Sequence, residues 1–124
     1  MANILVIDDE VSIRELLFAI LTPAGHRIFL AEHGAAGLAL CGQHPMDLII
    51  TDIVMPDTDG LEVIARIKEH TPGAKIIAMS GGGMVSPHDY LQLAESMGAE
   101  ATLPKPFSRA DLTAAVNALL GPTP

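Results

Sequence analysis

Apolar residues along the chain fall into two alternating patterns: short unbroken runs, and longer stretches in which they recur every three or four positions. The first run, Ile4-Leu-Val-Ile7, has no polar alternation and ends on Asp8-Asp9, which predicts a strand covered on both faces. Ile13, Leu16, Leu17, Ile20 and Leu21 then share one helical stripe, and Pro23-Ala-Gly25 closes it. Arg27 to Leu30 reads as a second strand, and Ala35, Leu38, Ala39 and Gly42 mark a helix of small residues with a weaker stripe. Leu48 to Thr51 predicts a third strand, which also terminates on an aspartate, Asp52. Beyond the turn-forming Pro56-Asp-Thr-Asp-Gly60 come a helix around Leu61, Ile64 and Ile67, a strand from Lys75 to Met79, and the flexible Ser80-Gly-Gly-Gly83. Ser86-Pro87 has the form of an N-cap with proline in the first helical position, opening a helix striped by Tyr90, Leu93, Ala94 and Met97 and ended by Gly98. A last short strand, Glu100 to Leu103, runs into Pro104-Lys-Pro-Phe107. Ser108 and Asp111 form a capping-box pattern for a helix carrying Leu112, Ala115, Val116, Leu119 and Leu120, stopped by Gly121-Pro122.

Five strands alternating with five helices imply a parallel sheet with helices on both faces, because each crossover returns right-handed to the same sheet. The predicted class is α/β and flavodoxin-like: a doubly wound five-stranded parallel sheet in the order 2-1-3-4-5. There is no repeat, low-complexity tract or linker, so the alternation describes one domain over residues 1–121 with a short tail, 122–124. A length of 124 residues suits a single domain. With 49% apolar but only 3% aromatic residues, its core must be aliphatic. Fifteen acidic residues against seven basic ones, a net charge of -8, disfavour nucleic acid and anionic membranes and favour cationic partners or metal ions. A lone cysteine, Cys41, leaves no internal disulfide. There is neither a leader-like apolar segment nor a run long enough to cross a bilayer, and the expected location is the cytoplasm.

In open sheets of this kind ligands bind beyond the carboxyl ends of the strands, where the strand order reverses. Those ends carry Asp8 and Asp9 after the first strand, Asp52 after the third, Ser80 after the fourth and Lys105 after the fifth. Carboxylates that close repel by about 4 kcal/mol per pair at 4 Å for an effective dielectric near 20, unless a proton or a cation intervenes. Oxygen donors without histidine or cysteine point to Mg²⁺. A carboxylate beside a metal, a lysine and a hydroxyl is suited to phosphoryl transfer, with Asp52 as the nucleophile. Any one of these aspartates alone is as well explained by capping a turn; the three together are not.

Asp8-Asp9, Asp52 within Asp52-Ile-Val-Met-Pro-Asp-Thr-Asp-Gly60, Ser80 and Lys105-Pro106-Phe107 resemble the motif set of bacterial response-regulator receivers, of the stand-alone type, over nearly the whole chain. The resemblance implies that Asp52 accepts a phosphoryl group from a histidine kinase or a histidine phosphotransfer protein. It implies further that Asp9, Asp52 and the backbone carbonyl of Val54 bind Mg²⁺, with Asp8 acting through a metal-bound water. Lys105 then pairs with one phosphoryl oxygen, while the Ser80 hydroxyl and the Gly81 backbone N–H serve another. A cis Lys105-Pro106 bond is implied as well. Two departures stand out: Thr102 occupies the position where receivers usually carry Tyr or Phe, and glycines follow Ser80 where an alanine is usual. Without a swinging aromatic ring, either the glycine segment and the helix after it carry the signal, exposing the surface between that helix and the last strand to a protein partner, or the glycines only give clearance around the site.

Other residues have blander readings. Asp57 and Asp59 suit a turn and an N-cap. His26, His33, His44, His70 and His88 lack metal-ligand spacing and read as surface residues, and Cys41 reads as a buried inert thiol. Two further functions compete with the switch: a Mg²⁺-dependent phosphatase or phosphotransferase with an aspartyl-phosphate intermediate, for which the loops are too short to form a cap, and an interaction module with dead chemistry, against which the intact aspartates and lysine argue. No enzymatic activity beyond self-phosphorylation and self-dephosphorylation is expected.

Overall fold

The computed structural model describes residues 2–55, 58–80 and 87–121, the side chains of 54–55, 58–59 and 87–91 excepted. Its elements run β1 (Asn3–Ile7), α1 (Val11–Leu21), β2 (Arg27–Ala31), α2 (Gly34–Gln43), β3 (Leu48–Asp52), β4 (Val54–Met55), β5 (Thr58–Asp59), α3 (Gly60–His70), β6 (Lys75–Ser80), α4 (Pro87–Ser96), β7 (Ala101–Pro104) and α5 (Arg109–Leu120). The five-stranded sheet has the order β2-β1-β3-β6-β7 with every neighbour parallel, which is the predicted 2-1-3-4-5 order. The helix expected after Ser86-Pro87 begins at Pro87, whereas Ser86 itself lies outside the described residues.

Successive residues of a strand point to opposite faces, so an unbroken apolar run can feed two cores at once. Leu5, Ile7, Ile49 and Ile76 pack with Val63, Ile64 and Ile67 of α3 and Ala94 of α4. Ile4, Val6, Leu48, Ile50, Ile77 and Met79 pack on the other face with Leu17 and Leu21 of α1 and Leu112 and Val116 of α5. Ile4 through Ile7 are fully buried, and each such side chain contributes about 1.5–3 kcal/mol of transfer free energy. The Ser108–Asp111 capping box is present, with each side chain accepting from the other residue's backbone N–H.

Three expectations are corrected. The segment around Pro56-Gly60 is more than a turn: Val54 and Met55 pair antiparallel with Thr58 and Asp59 across a two-residue connection, the usual hairpin length. The inner face of α2 is formed by Gly34 and Gly37, while Ala35, Ala39 and Gly42 of the expected stripe are exposed. A Cβ on Gly37 would stand 2.8 Å from Ile7 Cγ1, so the helix lies close enough to β1 that any side chain there would force Ile7 to shift. In α4 only Ala94 of the expected stripe is seen to be buried: Leu93 is 50% and Met97 38% exposed, and the Tyr90 side chain lies outside the described residues. Small residues, Ala78, Ala94 and Ala99, make that contact.

Gly60 starts α3 against the backbone of Ile53: a Cβ there would meet the Ile53 carbonyl carbon at 2.6 Å, whereas a Cβ on Gly42 would meet nothing within 4 Å. Gly60→Ala is expected to lower the unfolding free energy by about 1–3 kcal/mol, since backbone cannot yield as a side chain can. Gly42→Ala is expected to raise it by about 0.5–1 kcal/mol through reduced chain entropy in a helix. Urea denaturation of both variants measures the two signs.

Candidate functional site

The sheet's register sets the polar rim. Ile7 pairs with Thr51, so Asp8 and Asp52 each lie one residue further on, at the ends of adjacent strands. Asp52 pairs with Met79, which places Ser80 next, and Ser80 pairs with Pro104, which places Lys105 next. The chain leaves β1 towards β2 on one side while β3 lies on the other, so this rim is where the strand order reverses.

Asp8 is fully buried and Asp52 is 4% exposed. Lys105 Nζ donates to Asp8 Oδ2 at 2.7 Å and to Asp52 Oδ2 at 3.2 Å. Its backbone N–H donates to the Ser80 carbonyl at 2.9 Å, and its peptide bond to Pro106 is cis. Burial alone would lower the Lys105 ammonium, but the hydrogen bond to Asp8 and the charges of Asp52 and Asp8 outweigh it and raise its pKa above the ordinary 10.5. Asp8 is held further: Oδ1 accepts the Glu10 backbone N–H at 2.9 Å, and its carbonyl accepts from Arg14 Nη1 at 2.8 Å. Thr51 Oγ1 donates to the Asp52 carbonyl at 3.1 Å. Asp9 is exposed. Ser80 is fully buried, and its Oγ has no hydrogen-bond partner among the described residues.

Asp8, Asp9, Asp52, Ser80 and Lys105 are therefore brought to one rim, as their places at the strand ends imply. Val54 opens the hairpin two residues past Asp52, and Gly81 lies outside the described residues. Glu10 and Arg14 escaped the sequence reading. A third acid directly after Asp8-Asp9 was the available signal for Glu10, whose Oε1 stands 3.9 Å from Lys105 Nζ. Asp8, Asp9 and Glu10 can each place a carboxylate oxygen within 4.8 Å of the others. Three carboxylates, those of Asp8, Asp52 and Glu10, thus face one ammonium and Asp9 adds a fourth to the cluster, an excess of negative charge that suits a divalent cation, and the donors are all oxygen as Mg²⁺ requires.

The sequence profile of the response regulator receiver domain matches residues 4–117. The chain belongs to the response regulator receiver family. It is 38% identical over 119 residues to the DNA-binding transcriptional regulator NtrC of Azospirillum brasilense, a match covering 96% of this chain and 24% of that protein. Response regulator MprA of a Mycobacterium species is 33% identical, with 95% of this chain and 50% of that protein covered. The chain thus spans from about a quarter to half the length of these relatives. Among solved structures, a receiver domain protein of Clostridium thermocellum superposes with a TM-score of 0.87 at 33% identity, covering 97% of this chain and 94% of that one. TrrA of Thermotoga maritima, solved in complex with Mg²⁺-BeF, gives 0.82 at 37% identity, covering 96% and 99%. The receiver's role is phosphorelay signalling in a two-component system, and the phosphatase reading is not favoured.

The remaining polar residues have structural duties. His33 caps α2, its Nδ1 accepting the Ala36 N–H at 3.1 Å. Half-buried His26 accepts the Ala2 N–H, and burial together with the nearby amino terminus lowers its pKa. His44 packs its ring against Phe29 at 4.7 Å between centroids. Cys41 is a half-buried free thiol whose pKa burial raises, in keeping with an inert group. No described helix is long and apolar enough to cross a membrane.

Because the Lys105 pKa is raised in the folded state, the stabilisation from its ion pairs is complete below the ordinary value of 10.5 and is lost as pH rises through the folded value. Lys105→Met is therefore expected to be less stable than wild type at pH 8, with the gap closing at strongly alkaline pH. Urea unfolding of both proteins across that range measures the gap.

Proposed function

We propose that Asp52 is the phosphoacceptor of this receiver and that the reaction uses Mg²⁺. The observation that carries the proposal is the nearly buried Lys105 ammonium already bonded to an Asp52 oxygen. A carboxylate oxygen of Asp52 attacks the phosphorus of a phosphohistidine on a sensor histidine kinase or histidine phosphotransfer protein. The P–N bond breaks, its electron pair stays on the imidazole nitrogen, and that nitrogen takes up a proton. Lys105 turns its ammonium to a phosphoryl oxygen, and the Ser80 hydroxyl, buried without a partner among the described residues, donates to another, a bond the resemblance assigns to the Gly81 N–H as well. Mg²⁺, held by Asp9, Asp52 and the Val54 carbonyl with Asp8 alongside, would offset charge on the transferred group. TrrA, solved in complex with Mg²⁺-BeF, is 37% identical to this chain, which supports a Mg²⁺ site here.

On this reading the domain catalyses only its own phosphorylation and dephosphorylation, in the cytoplasm, and signals through protein contacts rather than by binding nucleic acid. The half-buried Thr102, opposite Ala78 on β6, offers no large ring to swing, so α4, which meets the core through the small Ala94 while Leu93 stays exposed, is the element that moves. The glycine segment proposed to pull it, residues 81–83, lies outside the described residues.

Radiolabelled acetyl phosphate with MgCl₂ is expected to label wild type with an acid-labile group and Asp52→Asn at background level only. The variant should keep its circular dichroism spectrum, since the amide is nearly isosteric with the carboxylate. Equal labelling of the two proteins would overturn the assignment.

A further inference from the structure

We propose that Glu10 is a further positioning residue of this site, acting on the divalent cation across water as an outer-sphere carboxylate; the inference rests on the metal reading just given. Glu10 occupies the N-cap of α1, yet its side chain makes no capping hydrogen bond. That position ordinarily favours Ser, Thr, Asp or Asn because the side chain satisfies an orphan N–H. Here the backbone alone does the anchoring: the Glu10 N–H is held by Asp8 Oδ1 at 2.9 Å, and its carbonyl accepts the Arg14 N–H at 3.2 Å. With both ends pinned, the side chain is left to reach over the rim, where its carboxylate comes within 4.8 Å of those of Asp8 and Asp9.

Direct coordination does not fit it. The side chain is 59% exposed, and Mg²⁺ takes only one or two carboxylates while keeping several waters. The Glu10 ion pair with Lys105 is a long one, with Nζ 3.9 Å away, beyond hydrogen-bond reach, while that ammonium donates its hydrogen bonds to Asp8 and Asp52. A second feature of the same rim calls for a ligand independently of the acids: Ser80 Oγ is buried with no partner among the described residues. A carboxylate with only this long ion pair at such a rim adds attraction for a hydrated dication and accepts hydrogen bonds from its waters.

The test is a MgCl₂ titration of the whole chain, read as the shift in thermal midpoint and by calorimetry, in wild type, Glu10→Gln and Glu69→Gln. Glu69 is exposed in the last turn of α3, at the opposite end of the sheet, and its substitution changes net charge equally. Glu10→Gln is expected to weaken Mg²⁺ binding about three- to tenfold at low salt, with the difference shrinking as KCl is raised, while Glu69→Gln matches wild type. If wild type responds to Mg²⁺ and both variants respond identically to it, the role of Glu10 is overturned and the rest of the site stands. A difference undiminished by salt overturns the outer-sphere assignment. A wild type that shows no Mg²⁺ response overturns the metal reading itself, and this inference with it.

Discussion

Asp8 and Asp52 sit at the ends of adjacent strands with almost no access to water, and the Lys105 ammonium between them is what makes that arrangement tolerable. A buried carboxylate without a counter-charge would protonate or open the structure, and two together add mutual repulsion. Lys105 reaches them from the far edge of the sheet because β7 ends beside Ser80 and its backbone N–H is tied to the Ser80 carbonyl. One side chain therefore links the first, third and last strands of the sheet. The site's integrity depends on sheet register as much as on chemistry: a one-residue slip of any strand would turn its terminal polar group to the other face.

The same arrangement prepares the site for its ligand. Lys105, even with the Arg14 guanidinium close by, does not balance Asp8, Asp9, Glu10 and Asp52, so the rim holds an excess of negative charge that a further cation relieves. On the proposed reading, a phosphoryl group arriving at Asp52 brings more negative charge, which gives the cation and Lys105 a common task, and the Ser80 hydroxyl, without a partner among the described residues, donates to one of its oxygens. The aliphatic double core beneath holds these groups in place, and the contact of Gly60 with Ile53 fixes the start of α3 next to Asp52.

Much of this was legible in the sequence because central parallel strands advertise themselves. Ile4 to Ile7 and Leu48 to Thr51 are unbroken apolar runs, and the aspartates that end them mark the functional rim directly. The faces of α2 and α4 were not legible for one shared reason. Where a helix packs through Gly34, Gly37 or Ala94, close approach replaces bulk, and apolar periodicity then points to the wrong side. The Val54–Asp59 hairpin was hidden by its turn residues, which signal a reversal but not the pairing around it. Glu10 was passed over because an acid after an acid pair reads as solvated charge until its idle capping position is seen.

A crystal structure grown with Mg²⁺ and beryllofluoride bears most directly on the proposed division of labour at the rim. It is expected to show beryllium bonded to an Asp52 carboxylate oxygen, Mg²⁺ contacting Asp9 and Asp52, and Lys105 Nζ moved from Asp8 to a fluorine. Beryllofluoride on another residue, or a site with both ions in the crystal medium and Lys105 still bridging Asp8 and Asp52, would contradict it.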